Sequence, residues 1–416
     1  MNAVGRYLFL DPGADVTRRD VYDKGRARGM EVLLLSRVLG WERDHVDHWV
    51  EGDPTDPASA VEVARAWRID GVVSCSESCL QSAAEAAAAC GVGGLSPQLA
   101  RICRDKVLMA ERLRPAGIPM ASRRVVVDER EAIAAAREIG CPGVLKPSTG
   151  VASLFTVKYG SIDELSRWFR EFESAARDRA PESLRAMCGR WLVEEFLEGP
   201  AFSVESVTSA GHTTHIAICE KGRVRPPFFR EVGHCSPPAL AEDAQWQLLD
   251  LTERAIAALG IDDCPTHTEF KWTPAGPRLL EVGARMGGGS IRQVVQLATG
   301  VDLLEVTLDL ATGSRIDARP RARGGAASRS LYPHQPGRLI SVDLARLASL
   351  PGIVAVNDWM KPGEEYRTPP DGYREVVGLV ATAHDSAGAV AYAEAAVEMA
   401  QRAGLVRLAP HEESSS

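Results

Sequence analysis

What this chain lacks narrows its function first. No stretch of its 416 residues approaches the roughly 20 consecutive apolar residues of a membrane helix, so a helical membrane protein is not expected. Excess positive charge is missing too. The formal net charge of −8 gives no electrostatic reason to expect nucleic acid or an anionic membrane as partner. A cysteine framework is absent: nine cysteines, an odd count, scatter from Cys75 to Cys264 without regular spacing. Cys90, Cys141 and Cys219 lie in apolar or alanine-rich settings, where a thiol behaves as a small hydrophobe. Cys75 and Cys79 have no second pair or histidine to complete a zinc site. Reduced thiols are therefore expected. The first ten residues hold one arginine and a short apolar run that meets Asp11, which suits a first strand rather than a signal peptide. A cytoplasmic location follows as the expectation. No internal repeat is visible.

What is present reads as several units, because a chain of this length exceeds one ordinary core. Residues 1–95 alternate strands (6–10, 31–36, 71–74) with helices (16–29, 57–67, 80–90), which argues for an open parallel α/β sheet. Ser96-Pro97 opens a helix expected to run to about residue 113. Strands at 123–127, 143–146, 154–158 and 190–197 and helices at 129–139 and 162–176 fill a second unit, residues 96–200. A hairpin at 202–209 and 213–220, a helix at 243–259 and a further hairpin occupy residues 201–325. The arginine-rich segment 315–325 reads as a solvated crossing to a last α/β unit, residues 326–416, with a helix at 387–403 and a disordered tail.

The second hairpin carries the most chemistry. Residues 266–272 alternate His267, Glu269 and Lys271 against Thr268, Phe270 and Trp272. Breakers follow at Pro274-Ala275-Gly276-Pro277, then residues 278–285 return. A turn centred on Ala275 pairs Glu269 with Glu281 and puts Gly283 and Arg285 on the same face. Two carboxylates directly opposite would repel, and a bound cation reverses that. Carboxylates in ones and twos, completed by phosphate oxygens, suit Mg²⁺. Arg285 is spaced to hold a phosphoryl or acyl-phosphate oxygen. A solvated hairpin face with its acids turned to water is the competing reading.

Four further features stand in order: Lys106 on the helix after Pro97, Lys146 at a strand end before Pro147, the small-residue loop 148–153, and Leu192-Val193-Glu194-Glu195-Phe196-Leu197-Glu198-Gly199-Pro200. Free backbone N–H groups in such a loop can cover phosphates. A strand that breaks at Gly-Pro can leave backbone groups for a purine edge.

This series, with His267-x-Glu269 and Glu281-x-Gly283-x-Arg285 followed by Gly287-Gly288-Gly289, resembles the ATP-grasp superfamily over nearly the whole chain. The segment from Pro226 through Glu231 and His234 to Leu240, and the C-terminal Gly378-Leu379-Val380-Ala381, are most similar to the L-amino-acid (dipeptide) ligases, a carboxylate–amine ligase group. The resemblance implies an ATP-grasp fold, α/β and α+β, with a two-part nucleotide-gripping region, and use of ATP and Mg²⁺. It implies that Lys106, Lys146 and Ser153 hold ATP phosphates and that Glu194, Glu195 and Leu197 form the adenine hinge. It also implies Glu269 and Glu281 as Mg²⁺ ligands, Arg285 on the acyl phosphate, and Glu231 and His234 near the acceptor, one of them its base. The partners implied are a small-molecule carboxylate and an amine. A homodimer is the expected assembly.

The sequence departs from the family in three places, one of them a phosphate loop, residues 148–153, with fewer glycines than is usual. Gly283 stands where an asparagine commonly follows the second metal carboxylate, and Ala201 stands where many relatives carry a ribose-binding acid; Glu198 or Glu205 is a candidate substitute. Gly287, Gly288 and Gly289 leave room for a bulky carboxylate donor, and Arg292 could neutralise a substrate carboxylate. Glu231 could instead pair with Arg223, Arg225 or Arg230. A biotin-carboxylase-like or purine-biosynthetic enzyme and a non-catalytic nucleotide-binding partner remain open as alternatives at this point.

Overall fold

In a computed structural model, which describes residues 5–10, 13, 15–151, 153–178, 189–222, 224, 226–314 and 316–410, the first layer is a parallel sheet. Its strand order is His48–Glu51, Glu31–Ser36, Arg6–Phe9, Gly71–Val73. The expected three strands are there, and a fourth joins at the edge. His48–Glu51 is short and only half-buried, so it lacks the apolar run that marks Glu31–Ser36. Helix Pro57–Trp67 starts where Asp56 accepts from the Ala58 and Ser59 amides.

The single helix expected over 97–113 is two, Pro97–Arg104 and Lys106–Leu113. Asp105 breaks it: its backbone is extended (φ −110°, ψ 109°) and its carboxylate accepts from the Val107 amide. Short polar side chains compete with the helix for backbone donors, which is why they favour caps over interiors. The break has a consequence for function. Lys106 becomes the first residue of a new helix, and its amide donates to the Ser148 carbonyl at 3.0 Å.

The small lobe is an antiparallel sheet ordered Arg123–Val126, Trp191–Glu195, Gly143–Pro147, Val157–Tyr159. Helices Glu129–Ile139 and Ile162–Asp178 cover a core that includes Leu145, Val157, Phe172 and Trp191. The last strand begins three residues later than expected. Ser153 (φ 56°) and Phe155 (φ 54°) are left-handed, which a strand cannot accommodate.

A single eight-stranded sheet forms the large lobe. Its order is Gly276–Gly283, Cys264–Thr273, Ala201–Ser209, His212–Lys221, His234–Ser236, Gly325–Leu331, Val377–Ala383, Ile353–Asp358. The sheet is therefore continuous across residue 325. Helix Glu242–Leu259 packs against Phe202, Phe270, Leu279 and Val282 in one apolar cluster, which commits the hairpin's apolar face and leaves its carboxylates on the other. A small sheet (Glu365–Tyr366, Gly337–Val342, Val406–Ala409) and helix Ser386–Arg402 complete the chain. No helix among the described residues is long and apolar enough to cross a membrane. Cys141, expected in an apolar setting, is exposed, because it precedes a strand at the lobe surface. Ala152 of the phosphate loop, Arg223, Arg225, Arg315 and the C-terminal tail from residue 411 lie outside the described residues.

Candidate active site

Glu269 and Glu281 are cross-strand partners. The turn between them is shorter than expected, with Thr273 paired to Gly276, and a β-bulge at Leu280 restores the pairing. Each carboxylate has an ammonium beside it. Lys106 Nζ is 2.8 Å from Glu281 Oε2, and Lys221 Nζ is 2.6 Å from Glu269 Oε1. Burial on its own would raise both carboxyl groups. The Lys221 ammonium and the His267 ring reverse this and hold Glu269 well below the carboxylate range, and Lys106 lowers Glu281 against the opposing charge of Glu269. The pair is thus ionised. No cluster of three or more possible metal-ligating side chains occurs among the described residues, and the Glu269/Glu281 pair presents two carboxylates as hard oxygen donors. That donor set fits a hard divalent cation such as Mg²⁺.

His267 lies between two acids. Its Nε2 is 2.8 Å from Glu269 Oε1 and its Nδ1 is 2.6 Å from Glu205 Oε1. Burial lowers its affinity for a proton, but Glu205 and Glu269 outweigh that and push the imidazole up to about 9. Glu205, fully buried, is not a ribose ligand: its other oxygen accepts the Gly287 amide at 3.2 Å. Sequence reasoning placed His267 in a motif and gave it no task; the signal was its position two residues before Glu269 on the same strand face.

Arg285 is oriented by Glu77, whose Oε2 takes the Arg285 Nε–H at 2.9 Å while its Oε1 takes Arg104 at 3.3 Å. Glu77 escaped the sequence reading. It follows the Gly71–Val73 strand, and the carboxyl ends of parallel strands are where such sheets place ligand-facing groups. Gly283 has room around it, since an added Cβ would meet its nearest neighbour, His267 O, at 3.5 Å.

Lys106 Nζ also donates to the Gly150 carbonyl at 2.9 Å, which fastens the small-residue loop to Glu281. Lys146 Nζ is 2.6 Å from Glu194 Oε2, and Arg123 Nε is 3.2 Å from Glu194 Oε1. Burial pulls the Lys146 ammonium down, with Glu194 opposing. Glu194 belongs to a strand paired on both sides, so its main chain is committed to the ladder and its carboxylate serves as counter-ion to Lys146. Glu195 closes that strand and its side chain accepts the Ser122 amide at 3.0 Å. Leu197 lies beyond the strand. Gly199 (φ 134°) passes so close to the next strand that a Cβ would stand 1.8 Å from Trp272 O, so only glycine fits there.

The amine-side candidates come together. Lys221 Nζ reaches Glu231 Oε1 at 3.1 Å, and His234 Nε2 lies 3.9 Å from the same oxygen. Burial would raise Glu231, but Lys221 and then His234 bring it down to about 2. Burial pushes His234 the other way, down to about 4, and its buried Nε2 has no hydrogen-bond partner among the described residues. Arg230 does not pair with Glu231. Its guanidinium lies over the Tyr332 ring at 4.3 Å and donates to Tyr366 Oη at 3.1 Å. Lys221, which the sequence reading passed over, takes that place.

A cavity of about 130 Å³ lies beside the segment that follows Arg285, bounded by Gly287, Gly288, Gly289, Cys75, Arg292 and Trp359. Arg292 is not available to a substrate carboxylate in this arrangement, because it pairs with Asp20 at 2.5 Å and Asp302 at 3.7 Å. A larger open groove, about 580 Å³ between Gln296, Arg323 and Thr382, shares none of these residues.

Residues 139–293 match the ATP-grasp domain profile and residues 329–401 match the L-amino acid ligase C-terminal domain 2 profile. The chain is 27% identical over 345 residues to carnosine synthase 1 of Homo sapiens, covering 77% of this chain and 41% of that one. It is 28% identical over 293 residues to the alanine–anticapsin ligase of Bacillus subtilis (strain 168), covering 64% and 60%. The chain thus spans less than two thirds of either relative's length. The crystal structure of L-amino acid ligase from Bacillus licheniformis shares the fold, with a TM-score of 0.83, 19% identity, and coverage of 99% of this chain and 100% of that one.

Proposed function

The chain belongs to the ATP-grasp superfamily, and on that premise we propose that it is an ATP-dependent carboxylate–amine ligase that joins an amino acid or similar carboxylate to an amine. The observation that carries this reading is the meeting, through Lys221, of the acidic pair Glu269/Glu281 with the Glu231/His234 pair. One end suits phosphoryl transfer and the other suits an incoming ammonium. The names of the relatives, carnosine synthase and alanine–anticapsin ligase, support amino-acid substrates.

A carboxylate does not acylate an amine at neutral pH, because its anion is a poor electrophile. In the proposed reaction a carboxylate oxygen of the donor attacks the γ-phosphorus of ATP, and the bond to the β,γ-bridging oxygen breaks with release of ADP. The amine then attacks the acyl carbon, the bond to phosphate breaks, and the amide forms. Mg²⁺, when held by Glu269 and Glu281, supplies positive charge to phosphate oxygens. Lys106 and Lys146 add to that charge, and the loop 148–153, including Ser153, covers the phosphates. Glu195 and Leu197 line the adenine end. Arg285, held by Glu77, stabilises the oxyanion of the tetrahedral intermediate. Glu231, kept ionised, receives the substrate ammonium, the unpartnered Nε2 of His234 accepts the proton whose loss frees the amine lone pair, and the second proton leaves with the phosphate as the amide forms. In this reading the division into residues 1–95, 96–200, 201–325 and 326–416 assigns the donor loop and metal pair to the third unit.

The test is phosphate release from ATP and Mg²⁺ across amino acids offered singly and in pairs, with mass spectrometry of the products. Release that needs two amino acids, with the condensed mass present and both lost in Glu281→Ala, is the expected result. Silence across all pairs while ATP still binds overturns the amino-acid assignment.

A further inference from the structure

We infer that Glu205 and His267 are positioning residues that couple the metal carboxylate Glu269 to the loop following Arg285. The inference rests on the reading of Glu269 and Glu281 as the cation-holding pair. Three buried contacts and one part-buried contact form one unbranched chain with a side support. Gly287 N–H donates to Glu205 Oε2 at 3.2 Å, and Glu205 Oε1 meets His267 Nδ1 at 2.6 Å. His267 Nε2 then meets Glu269 Oε1 at 2.8 Å, while Ser203 Oγ–H supports Glu205 Oε1 at 2.8 Å. Glu205 is wholly inaccessible to solvent and His267 is 3% exposed, so water cannot replace these partners.

The chain does something specific to Glu269. Its Oε1 takes both His267 and Lys221, and no hydrogen bond among the described residues goes to Oε2. The carboxylate is thereby held through one oxygen, on a residue whose cross-strand partner is Glu281. The opposite end is fixed as well. Gly287 sits two residues after Arg285 in the loop that bounds the cavity, and a Cβ there would stand 2.9 Å from Glu205 Oε2. The bare Cα of Gly287 is what lets the loop dock on Glu205. Cation ligand and donor loop are thus registered through one imidazole, in the way outer partners set the orientation of metal ligands.

The experiment is Mn²⁺ titration by electron paramagnetic resonance on the full chain with a non-hydrolysable ATP analogue, alongside thermal unfolding of each variant. His267→Asn keeps a polar group for Glu205 but falls short of Glu269; His267→Gln reaches Glu269. The expected result is Mn²⁺ affinity about 10–100-fold weaker in His267→Asn, largely recovered in His267→Gln, with analogue affinity in the absence of metal unchanged. Glu205→Leu is the second variant, since it removes the acceptors of both the Gly287 and the His267 N–H groups, and a loss of the same order is expected. Unchanged Mn²⁺ affinity in folded His267→Asn or in folded Glu205→Leu, while Glu281→Gln abolishes it, overturns the inference and leaves the metal pair standing. Unchanged affinity in Glu281→Gln overturns the metal-pair reading itself, and the inference with it.

Discussion

Lys221 stands between Glu269 and Glu231, 2.6 Å from one carboxylate and 3.1 Å from the other. One ammonium therefore neutralises both the phosphate side and the amine side of the candidate site. Lys221→Met should leave two carboxylates without their shared counter-ion. Removing one partner of a fully buried ion pair costs about 3–5 kcal/mol, and because the Glu231 side chain is half-exposed a smaller loss is expected here. A lower Tm by calorimetry is expected, together with weaker saturation by the amine. A variant as stable as wild type would show that the two acids do not depend on Lys221.

Protonation of His234 should be visible in stability. An ordinary histidine protonates near pH 6.5 in the unfolded chain, whereas burial pushes His234 down to about 4, with Glu231 opposing. Lys221, His267 and Glu205 are the other charged groups that face it. Between those values the unfolded state binds more protons, so this contribution is present above pH 6.5 and is lost as the pH falls toward 4. The difference amounts to about 3 kcal/mol at most. Urea unfolding at pH 7 and at pH 4.5 should show wild type losing more stability than His234→Asn; parallel losses would refute the assignment.

Glu77 orients Arg285 without reaching the reacting atoms in the proposed reaction. Glu77→Gln keeps the shape and removes the charge that draws the guanidinium. Misplacing a positioned group by about 1 Å can cost about 10²-fold in rate. Steady-state kinetics should show kcat reduced toward that extent with the KM for ATP little changed. A change confined to the KM for ATP would place Arg285 elsewhere in the cycle.

Gly288 faces open space, with no atom within 4 Å of an added Cβ. The adjoining cavity of about 130 Å³ approaches the size of an engineered cavity of about 150 Å³ that binds benzene. Gly288→Leu should fill it. The ratio of kcat/KM for large over small carboxylate donors should fall about 10–200-fold. An unaltered ratio would mean that the donor side chain lies outside this cavity.

Much of the fold was legible because it depends on local pattern. Helix Pro57–Trp67 carries its Asp56 cap and its N-terminal proline, and strand Glu31–Ser36 is a continuous apolar run between polar ends. Local pattern misled at Asp105, where one short carboxylate outcompeted an otherwise helical stretch, and at Ser153 and Phe155, whose left-handed backbones postpone a strand. The edge strand His48–Glu51 was illegible because it is short and half-buried, with only Trp49 and Val50 apolar between polar ends.

The sequence by itself determined the composition of the site: two acids on a hairpin, an arginine two pleats on, two lysines in order, and a Glu–His pair near the middle of the chain. Alternation and spacing encode which residues share a face, and those are properties of one strand. Tertiary structure decided how the acids meet and what holds them. A straight count from the Thr273–Gly276 turn would set Glu269 opposite Leu280; the bulge at Leu280 sets it opposite Glu281. Glu77 comes to Arg285 from 208 residues away, and Lys221 comes to Glu269 from 48. Such partners leave no periodic trace, because the field of a buried charge is answered by whatever opposite charge the packing brings near, irrespective of distance along the chain.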